Sequence, residues 1–161
     1  MTDPILTLLE NDAKLNPAQL AALTGRSEEE VRQAIARYEK AGIIKGYKAL
    51  VDWDKAGRET ITAMIEVRVT PQQDFGFEQL GERIMQFDEV STVYLMSGGF
   101  DLLVMVEGAS FKQVAMFVAE RLSPIDNVLS TSTHFVLRRY KERGVMFGSE
   151  RPDERGKISL C

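Results

Sequence analysis

Residues 16–51, NPAQLAALTGRSEEEVRQAIARYEKAGIIKGYKALV, constrain the fold of this chain more than any other stretch. Asn16, Pro17 and Gln19 make a helix start: a side-chain acceptor for an orphan N–H, a proline where no N–H is needed, and a box partner. Leu20 and Leu23 are the expected buried side of this helix, and Gly25 its end. Only Arg26 separates that glycine from Ser27, which with Glu30 opens the next helix by the same box. A link this short makes the two helices cross steeply. Val31, Ala34, Ile35 and Tyr38 share one side of the second helix, and Gly42 stops it. Ile43 and Ile44 anchor a segment in which Lys45-Gly46-Tyr47-Lys48 predicts the turn of a short hairpin. Upstream, Asp3 and Pro4 start another helix with the stripe Ile5, Leu8 and Leu9. The sum is the plan of a winged helix-turn-helix.

Such a unit presents its last helix to the DNA major groove. Arg32, Gln33 and Ala36 lie outside the apolar side of that helix and are the expected contacts to base edges. Arg26, Arg37, Lys40, Lys45 and Lys48 are the expected contacts to phosphates. The competing reading is a structural three-helix unit with a solvated face. Glu28 and Glu29 suit the positive end of the helix dipole but repel phosphate, while Glu30 is occupied by its cap.

Charge decides little. The chain has net charge −4, of which residues 1–56 carry −1, residues 57–137 −6 and residues 138–161 +3. The acid load therefore sits away from the expected reading head. One cysteine and one histidine leave no disulfide, cysteine cluster or histidine metal site to expect. No apolar run approaches a membrane span, and MTDPILTLLEND has acids where a signal peptide needs bases. The cytoplasm is the expected location, with no membrane partner. No Walker loop, nucleophile elbow or HExxH is present, so neither an enzyme nor a cofactor is expected.

From Thr60 the rhythm changes. Ile61, Ala63, Ile65, Val67 and Val69 alternate as in a strand, and Pro71 closes it. Phe77, Leu80, Ile84 and Phe87 follow at helical steps. Val90–Met96 and Leu102–Val106 are β-rich runs joined by Ser97-Gly98-Gly99, a hairpin signal. Ser110 and Gln113 open another helix, with Phe111, Val114, Val118 and Leu122 expected inward, and Val128–Tyr140 reads as a last long strand. The order βαββαβ is the ferredoxin-like unit, which makes the chain α+β. Helices cover one face of such a sheet. Tyr94, Met96, Leu103, Met105 and Val136 fall on the other, so a second copy is expected against it. The expected domains are residues 1–56, residues 57–142, and a flexible tail over 143–161.

The two segments SEEEVRQAIARYEKAGIIKGYKALVD and VYLMSGGFDLLVMVEG, set in this order of elements, resemble the Lrp/AsnC (feast/famine) family over about residues 3–142. The resemblance implies a transcription regulator that binds double-stranded DNA. It implies a homodimer paired through the C-terminal sheets, with assembly as far as an octamer, and a small effector, usually an amino acid, bound between dimers. It places the effector at Leu95, Ser97, Gly98, Gly99, Phe100 and Asp101 in the hairpin, and at Ser132, His134 and Val136 on the last strand. Backbone N–H groups at the two glycines suit a carboxylate, and Asp101 suits an ammonium group. A plain hairpin turn is the alternative for the glycines. Two other readings share the resemblance: a haem-pathway (sirohaem) decarboxylase-like protein, disfavoured by the single histidine, and an effector-binding module that has lost DNA binding.

Overall fold

Capping chemistry starts every helix of the N-terminal unit. In the computed structural model, which describes residues 2–70 and 76–147, α1 spans Pro4–Asn11, α2 Pro17–Thr24 and α3 Glu28–Lys40. Asn16 and Gln19 form a complete capping box, as do Ser27 and Glu30. Gly25 ends α2 at φ 69°, a left-handed conformation that favours glycine. Ile5, Leu9, Leu20, Ala21, Val31 and Ala34 are the buried core of the unit, with Ile35 and Tyr38 packed against it.

Two expectations for this unit are corrected. Leu23 is 61% exposed and Ala21 is buried in its place. At about 100° per residue the turn after Leu20 and Ala21 returns to the core at Thr24, and Leu23 falls outside. The hairpin and strand expected over residues 43–52 form no ladder: residues 45–52 carry no strand pairing. An isolated two-stranded ribbon has too few partners to hold itself. The segment is instead tied back to α3 by the Ile43 and Ile44 N–H groups, which both donate to the Tyr38 carbonyl.

Asp3 joins three parts of this unit. One carboxylate oxygen accepts the Ile5 N–H at 3.0 Å and caps α1. The other accepts from the Arg26 guanidinium at 2.8 Å and the Tyr38 hydroxyl at 2.6 Å. Bonding to Arg26, then to Tyr38, holds the Asp3 carboxyl down at about 2. A lowered folded-state pKa adds stability that is present above the unfolded value of 3.8 and is lost as pH falls towards 2. Asp3→Ala is expected to cost about 1–2 kcal/mol near neutral pH through the lost cap and bonds. Thermal melts should show the gap from the unmodified protein closing between those two pH values; a gap independent of pH would remove Asp3 from this role.

The chain divides between Val51 and Asp52. In the second unit β1 spans Ile61–Val69, α4 Phe77–Ile84, β2 Val90–Leu95, β3 Leu102–Gly108, α5 Phe111–Phe117 and β4 Val128–Phe135. The strands lie in the order β2-β3-β1-β4 and every pairing is antiparallel, as the ferredoxin-like plan requires. Ala63, Ile65 and Val67 pair in register with Val106, Val104 and Leu102. Together they form the inner face of the sheet and pack against Leu80, Ile84, Val114, Phe117 and Leu122 from the helices.

Three details depart from expectation. Phe111 is 54% exposed; it stacks edge-on against Phe135, 4.8 Å between centroids, and Phe117 takes the buried place. The helix widens to a π turn over Val118–Leu122, where the Ser123 N–H reaches the Val118 carbonyl at 2.8 Å. Last, β4 stops at Phe135, not Tyr140. The Val136 N–H still donates to Thr62, but β1 begins at Ile61 and offers nothing further to pair. The chain turns instead into a small hairpin, β5 Lys141–Glu142 with β6 Val145–Met146. Residues 143–147 therefore have a defined structure where a flexible tail was expected; residues 148–161 lie outside the described residues.

Among the described residues of this unit, both helices pack on the inner face of the sheet and none on the outer face. Met64 pairs with Met105 on one side and His134 on the other, and Glu66 with Leu103 and Ser132; Tyr94 lies beside Leu103. The β2–β3 half of this face is thus apolar and the β4 half polar. Tyr94 is 55% exposed.

Candidate nucleic-acid interface and effector loop

The outer side of α3 collects the expected DNA contacts. Arg32, Gln33, Ala36, Arg37 and Lys40 are all exposed, while Val31 and Ala34 fix the opposite side in the core. Lys45 and Lys48 are exposed just beyond, and the Tyr47 hydroxyl between them donates to Glu39 on α3 at 3.1 Å. Arg26 differs from the rest because it is spent on Asp3. Acids also engage two of the base-reading candidates: Arg32 donates to Glu28 at 3.2 Å and Gln33 to Glu29 at 2.8 Å. Glu30 is held by the Ser27 N–H and hydroxyl, which lower its pKa.

The effector candidates fall into two groups. Leu95 ends β2, and Ser97, Gly98, Gly99, Phe100 and Asp101 form the link to β3, with Leu95 through Gly99 exposed. Gly98 rather than Gly99 takes the unusual backbone, at φ 144°. The Asp101 N–H donates to the Val67 carbonyl at 3.0 Å, and one Asp101 carboxylate oxygen accepts the Val69 N–H at 2.8 Å. The side chain offered for an ammonium group is thus also a backbone tie to β1. Ser132 and His134 lie on the outer sheet face. His134 Nε2 is 3.4 Å from Glu66 Oε1 and 3.3 Å from the Ser132 hydroxyl. Val136 sits beside Thr62, five residues along β1 from Val67, or about 16 Å at strand rise. Within one chain the loop and Val136 do not share a pocket.

A helix-turn-helix with an exposed polar recognition face, joined to a ferredoxin-like sheet, is matched by two family models. Residues 5–45 match a winged helix-turn-helix DNA-binding model, and residues 62–146 match the Lrp/AsnC ligand binding domain. The chain belongs to the Lrp/AsnC family. It is 42% identical over 156 residues to the HTH-type transcriptional regulator YugG of Bacillus subtilis, covering 96% of this chain and 94% of that protein. It is 26% identical to a proline dehydrogenase transcriptional activator of Rhizobium radiobacter, covering 88% and 90%. Among solved structures, a feast or famine regulatory protein of M. tuberculosis complexed with L-methionine has the same fold: TM-score 0.69, 22% identity, covering 92% of both chains. The protein is a transcription regulator of the Lrp/AsnC type.

The structure also shows a cavity that sequence reasoning did not find, of about 280 Å³. Trp53, Thr62, Phe111, Arg139 and Phe147 line it together with Val136. Arg139 is fixed there by the Thr62 hydroxyl at 3.1 Å and by Glu142 at 3.3 Å. These residues meet only because β4 ends early and the chain turns back, which no local pattern records. Of the candidate effector residues it takes in Val136 alone.

The tie from Asp101 to β1 changes which variant isolates a ligand effect in an Lrp/AsnC loop. Asp101→Ala should lower stability by about 1–3 kcal/mol, because the Val69 N–H loses a charged acceptor. Asp101→Asn keeps an acceptor oxygen and should retain most of that stability while removing the charge. Thermal melts of both variants test this; equal losses would show that charge, not the backbone bond, is what β1 needs.

Proposed function

We propose that this Lrp/AsnC regulator binds operator DNA through α3 and that an amino acid tunes its assembly and occupancy. The observation that carries the reading is the α3 face, where Arg32, Gln33, Arg37 and Lys40 all stand clear of the core. In the proposal Arg32, Gln33 and Ala36 meet base edges, and Arg37, Lys40, Lys45 and Lys48 meet phosphates. Arg26 joins them through the guanidinium N–H groups that Asp3 does not engage. Two fold neighbours, from Neisseria meningitidis and M. tuberculosis, are complexes with L-methionine, which supports an amino acid as the effector class. The loop from Leu95 to Asp101 receives it, and a second dimer closes the pocket with Ser132, His134 and Val136. Assembly then completes the site, and ligand stabilises assembly by mass action. The regulator works in the cytoplasm.

Fluorescence anisotropy on genomic DNA fragments tests the DNA half. Arg32→Ala should cost about 1–3 kcal/mol on a specific fragment and relax one base position, whereas Lys48→Ala should weaken every sequence and reduce the salt slope by about 1. Equal effects on specific and random DNA would overturn these assignments. A thermal-shift screen of amino acids and their keto acids, followed by sedimentation, tests the effector half. One compound should raise the melting temperature and shift the oligomer distribution; a hit that binds Asp101→Asn with full affinity would place the site elsewhere.

The dimer is proposed to form by pairing of the outer sheet faces. The exposed Tyr94 and Met64, with the half-buried Leu103 and Met105 between them, supply the apolar contact. A charge there would be buried without a partner. Met105→Glu is expected to yield a monomer or an insoluble protein in sedimentation, and a stable dimer from that variant would move the interface to another surface.

A further inference from the structure

The acids at the start of α3 have a chemical consequence for what the helix reads. Glu28, Glu29 and Glu30 occupy its first turn. Glu30 is consumed by the Ser27 cap. Glu28 and Glu29 remain exposed, and each accepts from a side chain one turn further along the helix, Arg32 and Gln33. In a helix-turn-helix this first turn is the part that approaches base edges. Phosphates and the acceptor atoms of guanine and thymine all repel a carboxylate. The major groove offers it only two kinds of donor, the amino groups of cytosine and adenine.

The Glu28–Arg32 pair meets that constraint best. Glu28 Oε2 and Arg32 Nη2 are 3.2 Å apart, with both side chains more than half exposed. Glu28 Oε1 carries no contact among the described residues, and most of the five Arg32 N–H donors are equally open. The pair therefore presents an acceptor and a donor fork side by side. The paired tips, 3.2 Å apart, span about one base-pair step of about 3.4 Å. The donor fork matches guanine O6 and N7, and the acceptor matches the cytosine amino group. Glu29 is placed less well, because Gln33 brings no charge to neutralise it.

We propose that Glu28 and Arg32 act as one specificity element, reading a cytosine and a guanine on the same or neighbouring base pairs of the operator. The inference rests on the DNA-binding reading of α3 given above. Arg32 supplies the attraction that lets Glu28 enter the groove, and Glu28 excludes sequences that offer it no amino group. An acid thereby contributes discrimination at the expense of overall affinity, a difference of affinities built partly from a repulsive contact.

The test is selection of bound sequences from a random DNA pool by the full-length protein and by its E28A, E28Q, R32A and E28A/R32A variants, with affinities measured at several salt concentrations. The unmodified protein should select a site with a C and a G within one step. E28A should lose about tenfold discrimination at the C position while keeping the G. R32A should lose the preference for G and, because it leaves Glu28 unpaired beside the DNA, weaken binding to other sequences to a smaller degree; E28A/R32A should recover that general part of the loss but not the G preference. E28Q, which keeps side-chain size but not charge, guards against a folding defect in E28A. A uniform rise in affinity for every sequence with E28A and E28Q would make Glu28 a simple repulsive charge and overturn the proposal. If R32A relaxes a base position while E28A leaves the selected site unchanged, the paired reading alone fails. If the unmodified protein binds no duplex DNA, the DNA-binding reading fails and takes this inference with it.

Discussion

Strand β1 is the member on which the C-terminal unit depends. It is bonded along its length to β3 on one side and β4 on the other, and its inward residues Ala63, Ile65 and Val67 are wholly buried. Alternation then leaves Met64, Glu66 and Arg68 on the outer face. Its C-terminal end is held by Asp101, which bonds Val67 and Val69 through backbone and side chain. One strand thus anchors the core, contributes to the face proposed for dimer pairing, and holds the base of the candidate effector loop. Any ligand that pulls on Asp101 pulls on the central strand.

In the N-terminal unit the same economy appears in Asp3, which closes α1 and reaches the α2–α3 turn and α3 through Arg26 and Tyr38. With only a handful of buried apolar residues, a small unit gains much from one well-connected carboxylate. The arrangement also removes Arg26 from the free cations near α3. The proposed reading face is left with Arg32, Arg37, Lys40, Lys45 and Lys48 as its positive charges, of which Arg32 is already paired. Modest charge and paired acids favour discrimination over bulk attraction to DNA.

Much of this was legible in the sequence, for reasons that are local. Capping boxes and proline starts are decided within four residues, so Asn16–Gln19 and Ser27–Glu30 announce their helices without reference to the rest of the chain. Strand alternation over Ile61–Val69 is similarly self-contained. The element order βαββαβ then admits few topologies, and the observed strand order β2-β3-β1-β4 is among them. The failures also share a cause. Leu23 and Phe111 are apolar at helical spacing, yet which side of a short helix turns inward depends on what it packs against. The end of β4 is set by where β1 begins, and the hairpin after it by the space this leaves.

The candidate site divides along the same line. The sequence by itself showed both units and their order, and marked Arg32 and Gln33 as candidates for DNA; Gly98, Gly99 and Asp101 became effector candidates only through the family resemblance. Tertiary structure alone decided how those residues are engaged: Arg26 on Asp3, Arg32 on Glu28, Asp101 on Val69, and His134 near Glu66. It alone separated the loop from Val136 and built the cavity around Arg139. Local pattern fixes which side chains are present and which way an element runs, whereas hydrogen-bond partners distant in sequence exist only once packing has brought two elements within about 3 Å of each other.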